Sequence, residues 1–198
     1  MKKLNYMRDG VSIIIPAFNE ERNITLAIRS VLRALKGISD YEIIVVNDGS
    51  SDGTEVVVRK MIKKNSRIKL INHSVNLGLG YNFRDGIRMS TKSFISGFPG
   101  DNDMFWKSLR QLIRERNKAD IIISYMANPQ ARPISRQIVS GVYTLIINTL
   151  FGLRLRYFNG YFVARAKFIK KLDLKSPGFV LLRIGEGSFY VSKEFAFE

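Results

Sequence analysis

Two short β-branched runs, each emptying into a polar loop that carries carboxylates, set the strongest limit on how this chain can fold. Val11-Ser12-Ile13-Ile14-Ile15 breaks at Pro16-Ala17-Phe18-Asn19-Glu20-Glu21, and Tyr41-Glu42-Ile43-Ile44-Val45-Val46 breaks at Asn47-Asp48-Gly49-Ser50-Ser51-Asp52-Gly53-Thr54. Short, nearly continuous apolar runs bounded by turn residues read as strands of a parallel sheet. Between them, residues 22–36 place Ile24, Ala27, Ile28, Val31, Leu32 and Leu35 at helical spacing. A strand–helix–strand order of this kind gathers the loops after the strands at the carboxyl edge of the sheet, where open α/β sheets bind ligands.

The alternation continues along the chain. Asn19 or Asn23 is placed to cap the first helix and Gly37 to stop it. Ser51 or Asp52 opens a helix over Thr54–Lys64, and Ile68–Ile71 reads as a third strand. The glycine-bearing segment Asn76-Leu77-Gly78-Leu79-Gly80-Tyr81-Asn82 feeds a helix over 82–89. Phe94–Phe98 is a fourth strand leading into Gly100-Asp101-Asn102-Asp103, followed by a helix over 106–117 and a strand over 120–125. From Arg132 the chain becomes basic and helical, then turns at Asn159-Gly160-Tyr161. Residues 176–198 hold five aromatics but few helix or strand signatures, and a truncated end is one reading of them. With no repeat, low-complexity tract or linker, one domain is expected over 1–198. Its nucleotide-sugar-binding core would be 1–130, and its acceptor- or membrane-facing part 131–198.

Charge narrows the partners. Thirty-two Lys and Arg against 17 Asp and Glu give +15, an excess that favours phosphates or an anionic membrane surface. Nucleic acid is not expected, because no RNA-binding aromatic motif, zinc finger or basic zipper is present. The absence of cysteine excludes disulfides and thiolate metal sites. A single histidine, His73, argues against a histidine-rich zinc centre or a His-based triad, and its position after a strand suggests a plain surface or loop residue. Gly78-x-Gly80 is too short for a dinucleotide fingerprint and no P-loop occurs, which removes hydride transfer and ATP hydrolysis. Met1-Lys2-Lys3 is followed only by a short apolar run stopping at Pro16, so no secretory signal is read. Residues 138–155 are apolar but interrupted by Ser140, Gly141, Thr144, Asn148 and Gly152, and they are flanked by Arg132, Arg136, Arg154 and Arg156. A helix lying in the membrane interface fits this better than a spanning one, and a buried helix of the domain is the other reading.

The motifs together carry the chemistry. Asp101 and Asp103 offer hard oxygen ligands one residue apart, suited to Mg²⁺ or Mn²⁺ carrying a diphosphate. In their order, residues 11–20, 42–54, 76–80 and 101–103 resemble the family-2 inverting glycosyltransferases, and within them the polyprenyl-phosphate glycosyltransferases. The resemblance covers residues 10–170. It implies a Rossmann-like, GT-A type nucleotide-sugar fold: a mostly parallel α/β sheet flanked by helices, with a basic helical C-terminal extension. It implies Pro16, Ala17, Phe18, Asn19, Glu20, Asp48 and Asn102 around the nucleotide sugar, with Glu20 at ribose hydroxyls and Asp48 near the base or ribose. Turn formation and helix capping are the structural alternatives for those two carboxylates. Asp101 and Asp103 would be the catalytic, metal-holding pair. Arg132, Arg136 and Ser140 would face phosphates of a polyprenyl phosphate or other lipid-linked acceptor, at the cytoplasmic face of a membrane, bound peripherally or anchored through a missing segment or partner. Such an acceptor is ionised at neutral pH and needs no strong general base. The chain departs from the family pattern at Met104-Phe105 after the aspartate loop, and at residues 157–162, which read YFNGYF with Arg165 beyond. A glycan acceptor, or a catalytically degenerate nucleotide- and membrane-binding relative, are the alternative readings.

Overall fold

A computed structural model of the protein describes residues 9–125, 133–151, 161–171 and 189–193. The elements run β1 (Val11–Ala17), α1 (Ile24–Ala34), β2 (Tyr41–Asp48), α2 (Thr54–Lys64), β3 (Ile68–His73), α3 (Leu79–Met89), β4 (Phe94–Gly97) and α4 (Trp106–Glu115). They continue through β5 (Ile121–Tyr125), α5 (Ile134–Phe151), β6 (Phe162–Arg165), α6 (Ala166–Ile169) and β7 (Phe189–Lys193). The seven strands form one sheet in the order β3-β2-β1-β4-β6-β5-β7. Strand β1 pairs in parallel with both β2 and β4, β2 in parallel with β3, and β5 in parallel with β7. Strand β6 runs antiparallel to both β4 and β5, so the sheet is mixed but mostly parallel.

Helices cover both faces, and strand periodicity divides the core between them. Ile13, Ile15, Ile43 and Val45 point to one face, packed with Ile24, Ile28 and Val31 of α1, Val58 of α2, and Leu109, Leu112 and Ile113 of α4. Ile14, Ile44, Val46 and Ile95 point to the other, packed with Phe83 and Ile87 of α3 and Ile169 of α6. This explains why β1 and β2 are apolar at successive positions: neither face meets water.

Three differences from the sequence expectation have physical causes. Helix α3 starts at Leu79, earlier than residue 82, because Gly78 takes φ +92 and the turn is completed before Leu79. Strand β6 was not anticipated. It inserts between β4 and β5, and its short FVAR segment becomes a strand through the ladders on both its edges. Strand β7 lies in the stretch with few strand signatures, and its pairing with β5 is a tertiary event. Asn159 and Gly160 of the expected turn lie outside the described residues.

Helix α5 is not buried in the domain. Ile134, Ile138, Val139, Val142, Leu145 and Leu150 are exposed, whereas the polar Gln137, Ser140, Thr144 and Asn148 are half-buried. Its apolar side therefore faces outward, the reverse of an ordinary surface helix. No described helix is long and apolar enough to cross a membrane.

At the amino edge of the sheet, Glu42 ties four segments together. Its carboxylate is buried and accepts hydrogen bonds from Ser12 Oγ (2.6 Å), Lys69 Nζ (2.6 Å) and the Thr91 N–H (2.6 Å). Burial by itself raises its pKa, but the bonds from Lys69, Ser12 and Thr91 outweigh that and hold it below the ordinary glutamate value. A depressed folded-state pKa gives stability that is present above the unfolded value and is lost as pH falls through the folded one. Glu42→Gln is therefore expected to lower urea-unfolding stability at pH 7 by about 1–3 kcal/mol, the cost of leaving buried donors poorly matched. The gap between variant and wild type should narrow as the pH is taken below the ordinary glutamate range, and a gap unchanged in acid would refute the assignment.

Candidate active site

The strand order reverses beside β1: β2 and β3 lie on one side and β4 on the other. A crevice opens at the carboxyl ends of strands at such a switch point, and here it is framed by the loops after β1 and β4. The Ile14 carbonyl accepts from the Phe98 N–H at 2.9 Å. Pro16, two residues on, faces the same side, where β4 has already ended at Gly97, so its missing N–H leaves no ladder bond open. The aspartate loop then folds directly onto β1. A Cβ at Gly100 would lie 2.5 Å from the Pro16 carbonyl oxygen and 3.2 Å from Ala17 Cα, which is why that position is glycine.

Polar side chains lock the loop after β1 to the loop after β2. Asn19 adopts φ +56, a conformation asparagine tolerates better than most residues. Its N–H donates to Ser50 Oγ (2.9 Å), and its Oδ1 accepts from the Ser51 N–H (2.9 Å). The Glu20 N–H donates to Thr54 Oγ1 (2.8 Å), the Glu21 N–H to Asp52 Oδ2 (3.0 Å), and the Gly53 N–H to Glu21 Oε2 (3.1 Å). Of the two cap candidates, Asn23 does stand at the N-cap of α1, but its side chain makes no capping bond. Asn19 is spent on the neighbouring loop, and the Asn23 amide donates instead to Glu20 Oε2 at 2.9 Å. Asp52 does hold the start of α2, accepting from the Thr54 N–H at 3.0 Å. Phe18, 47% exposed, stands out from this tied base into solvent, with half-buried Glu20 beside it.

Asp48 is placed differently from the expectation that it faces a base or ribose. It is 2% exposed, and its carboxylate accepts from the Leu77 N–H (2.9 Å) and the Gly78 N–H (3.0 Å) while meeting His73 Nδ1 at 2.9 Å. Burial raises its pKa, and the bonds from His73, Leu77, Asn82 and Gly78 pull it below the ordinary aspartate value. Its oxygens thus hold the turn between β3 and α3. His73 is correspondingly not a plain surface or loop residue. Its side chain is largely buried, and its other ring nitrogen lies 3.2 Å from Asp85 Oδ2. The Arg84 guanidinium, bonded to both oxygens of Asp85, is the main cause of that carboxyl's lowered pKa. A lone histidine ending the strand next to one that ends in aspartate was the available signal, since register pairs Asp48 with His73.

The third loop presents acid to solvent. Asp101 and Asp103 are exposed, and Asn102 between them takes φ +63. The Asp103 N–H donates to Asp101 Oδ1 (3.0 Å), so the two side chains sit on one tight turn whose following residue, Met104, is buried in the core. The Asn102 side-chain oxygen is buried and receives no hydrogen bond. No group of three or more His, Cys, Asp or Glu able to hold a metal occurs among the described residues. A divalent ion here would take the two aspartates and fill its remaining positions with water and ligand phosphate oxygens, the habit of Mg²⁺. The structure therefore seats Gly100 of the aspartate loop on Pro16 and Ala17, with Asp101, Asn102 and Asp103 following on the same turn. Ser140 lies on a separate element, α5, where its carbonyl accepts from Thr144 Oγ1. Arg132 and the side chain of Arg136 lie outside the described residues.

The chain is 28% identical over 160 residues to a dolichyl-phosphate beta-glucosyltransferase of Trichomonas vaginalis, an alignment covering 73% of this chain and 50% of that protein. It is 25% identical over 169 residues to a dodecaprenyl-phosphate galacturonate synthase of Rhizobium johnstonii, covering 83% of this chain and 50% of the other. The chain thus spans about half the length of these curated relatives. Its fold resembles that of glucosyl-3-phosphoglycerate synthase from Mycobacterium tuberculosis in complex with Mn²⁺, UDP-glucose and phosphoglyceric acid. That likeness has a TM-score of 0.64 at 18% identity and covers 83% of this chain and 60% of that one, which establishes a GT-A type fold. Residues 12–169 match the family described as glycosyl transferase family 2, and the chain belongs to that family.

Proposed function

We propose that this chain supplies the catalytic domain of an inverting glycosyltransferase, moving a sugar from a nucleoside-diphosphate donor to a polyprenyl phosphate. The observation that carries the reading is the seating of Gly100 against Pro16 and Ala17 at the β1–β4 edge, which leaves Asp101 and Asp103 exposed beside the end of β1. The named activities of the two curated relatives, each directed to a polyprenyl-type phosphate, support the acceptor class. Nucleoside contacts fall to Pro16, Ala17, Phe18, Asn19 and Glu20, with Asn102 offering its unfilled amide oxygen. Asp48 contributes by holding the Leu77-Gly78 turn. Asp101 and Asp103 would hold Mg²⁺ or Mn²⁺, which would supply neutralisation of the charge on the departing diphosphate. An acceptor phosphate oxygen attacks the anomeric carbon as its bond to the diphosphate breaks, inverting the centre. That oxygen is already anionic, so no general base is required. Arg132, Arg136 and Ser140 are assigned to acceptor phosphate binding.

We assign the protein to the cytoplasmic face of a membrane, peripherally bound, with the outward apolar side of α5 entering an anionic interface. The net charge of +15 complements such a surface.

Three outcomes test this. Calorimetric titration of GDP and UDP with Mn²⁺ should show metal-dependent binding of one nucleotide. Asp101→Ala/Asp103→Ala should weaken it about a hundredfold, the ~3 kcal/mol that two ionic contacts are worth; absence of metal-dependent binding in the wild type would remove the donor assignment. Asp48→Ala should raise amide hydrogen exchange at Leu77 and Gly78 by roughly tenfold, the worth of a lost hydrogen bond. Unchanged exchange would show that Asp48 does not hold the turn. Ile138→Asp/Leu145→Asp should reduce cosedimentation with anionic vesicles while leaving nucleotide affinity as it was; undiminished cosedimentation would exclude α5 as the inserted element.

A further inference from the structure

At the amino edge of the sheet, opposite the aspartate loop, α1 and α4 end side by side and enclose a recess of about 380 Å³. It is lined by Lys36, Arg110, Arg114 and Arg116 over an uncharged floor of Ala34, Gly37 and Ile38, and among the described residues no carboxylate lines it. Its location is fixed by Arg116, which is 3% exposed and donates to the Ile113 carbonyl (2.7 Å) and to the Asp9 carbonyl just before β1 (3.3 Å). Arg110 is held from the other side, donating to the Arg33 carbonyl at the end of α1 (3.3 Å). Among the described residues, Lys36, Arg110 and Arg114 have no carboxylate partner, although Arg59, Lys69, Arg84, Lys92 and Lys118 all have one. Cations at helix C-termini offset the helix dipole, but one or two per end suffice for that. Lys36, Arg110 and Arg114 meeting at one concavity repel one another, and a bound anion relieves that repulsion.

We propose that this recess is a second anion site that takes a phosphate ester. The phosphate would lie among Lys36, Arg110 and Arg114, and the uncharged part of the ester against Ala34 and Ile38. Guanidinium groups suit a phosphate because they present paired N–H donors. The site is separate from the donor crevice, since it lies at the opposite ends of β1 and β4. The ester can come from a soluble metabolite or from a phospholipid headgroup, and the recognition chemistry is the same.

The test uses three probes: inorganic phosphate and glycerol 3-phosphate by calorimetry, and phosphatidylglycerol against phosphatidylcholine vesicles by cosedimentation. Two variants remove equal charge. Arg110→Gln/Arg114→Gln acts at the recess, and Lys60→Gln/Lys63→Gln acts on exposed positions of α2. The expected result is saturable binding of at least one probe, weakened tenfold or more by the recess variant and less than twofold by the α2 variant. Binding of a soluble probe identifies a soluble ester as sufficient, and binding confined to phosphatidylglycerol vesicles identifies the headgroup. Thermal melting and Mn²⁺-dependent nucleotide binding, unchanged in the recess variant, confirm that it folds. Absence of saturable binding to every probe overturns the proposal, as does equal weakening by the two variants, which would make the effect one of overall charge.

Discussion

Strand β1 pairs in parallel on both sides, and everything near the candidate site depends on that pairing. It requires Val11 to Ala17 to be buried on both faces, so helices must cover the sheet above and below. A slip of one residue would exchange Ile13 and Ile15 with Ile14 between two differently shaped cores. It would also carry Pro16 from the place past the end of β4 where its lack of an N–H costs nothing. Because β4 rather than β3 completes the other side of β1, the chain reverses direction across the sheet there, and that reversal opens the crevice into which Gly100 brings the aspartate loop.

Packing places the strands, whereas polar side chains place the loops. Asn19, Asp52 and Thr54 bind backbone N–H groups across loops that are far apart in sequence, and Asp48 does the same for the turn before α3. Such ties set a binding surface before any ligand arrives, which reduces the ordering cost of binding. They also divide the carboxylates into two kinds. Asp48 and Glu42 are buried with their oxygens filled and are held ionised by donors, so they maintain architecture. Asp101 and Asp103 are left facing solvent, available to a cation and a diphosphate.

The charge of the chain is also divided by position. Some cations are paired with acids, whereas Lys36, Arg110 and Arg114 share a recess between α1 and α4 with no carboxylate among the described residues, and α5 turns its apolar side outward. Both features lie outside the donor crevice. Under the two proposals above, they would connect the basic, moderately apolar composition to phosphate-bearing and lipid surroundings.

Much of the architecture was legible from pattern alone. Buried runs at 11–15 and 41–46, helical spacing between them, and the loops that follow are local signals, because strand and helix periods are written in consecutive side chains. The crevice residues 16–20 and 101–103 were legible for the same reason, since a loop after a parallel strand has only one edge to go to. What the sequence did not disclose were facts of pairing. Strand β6 exists because it has neighbours on both edges, Asp48 turns inward because His73 and the Leu77-Gly78 turn come to it across a ladder, and the recess forms because two helices end together. Local periodicity determined the elements and the edge on which chemistry would gather. Tertiary structure alone decided which carboxylates remain open there, since a side chain's partners are set by contacts between segments that no single stretch of sequence contains.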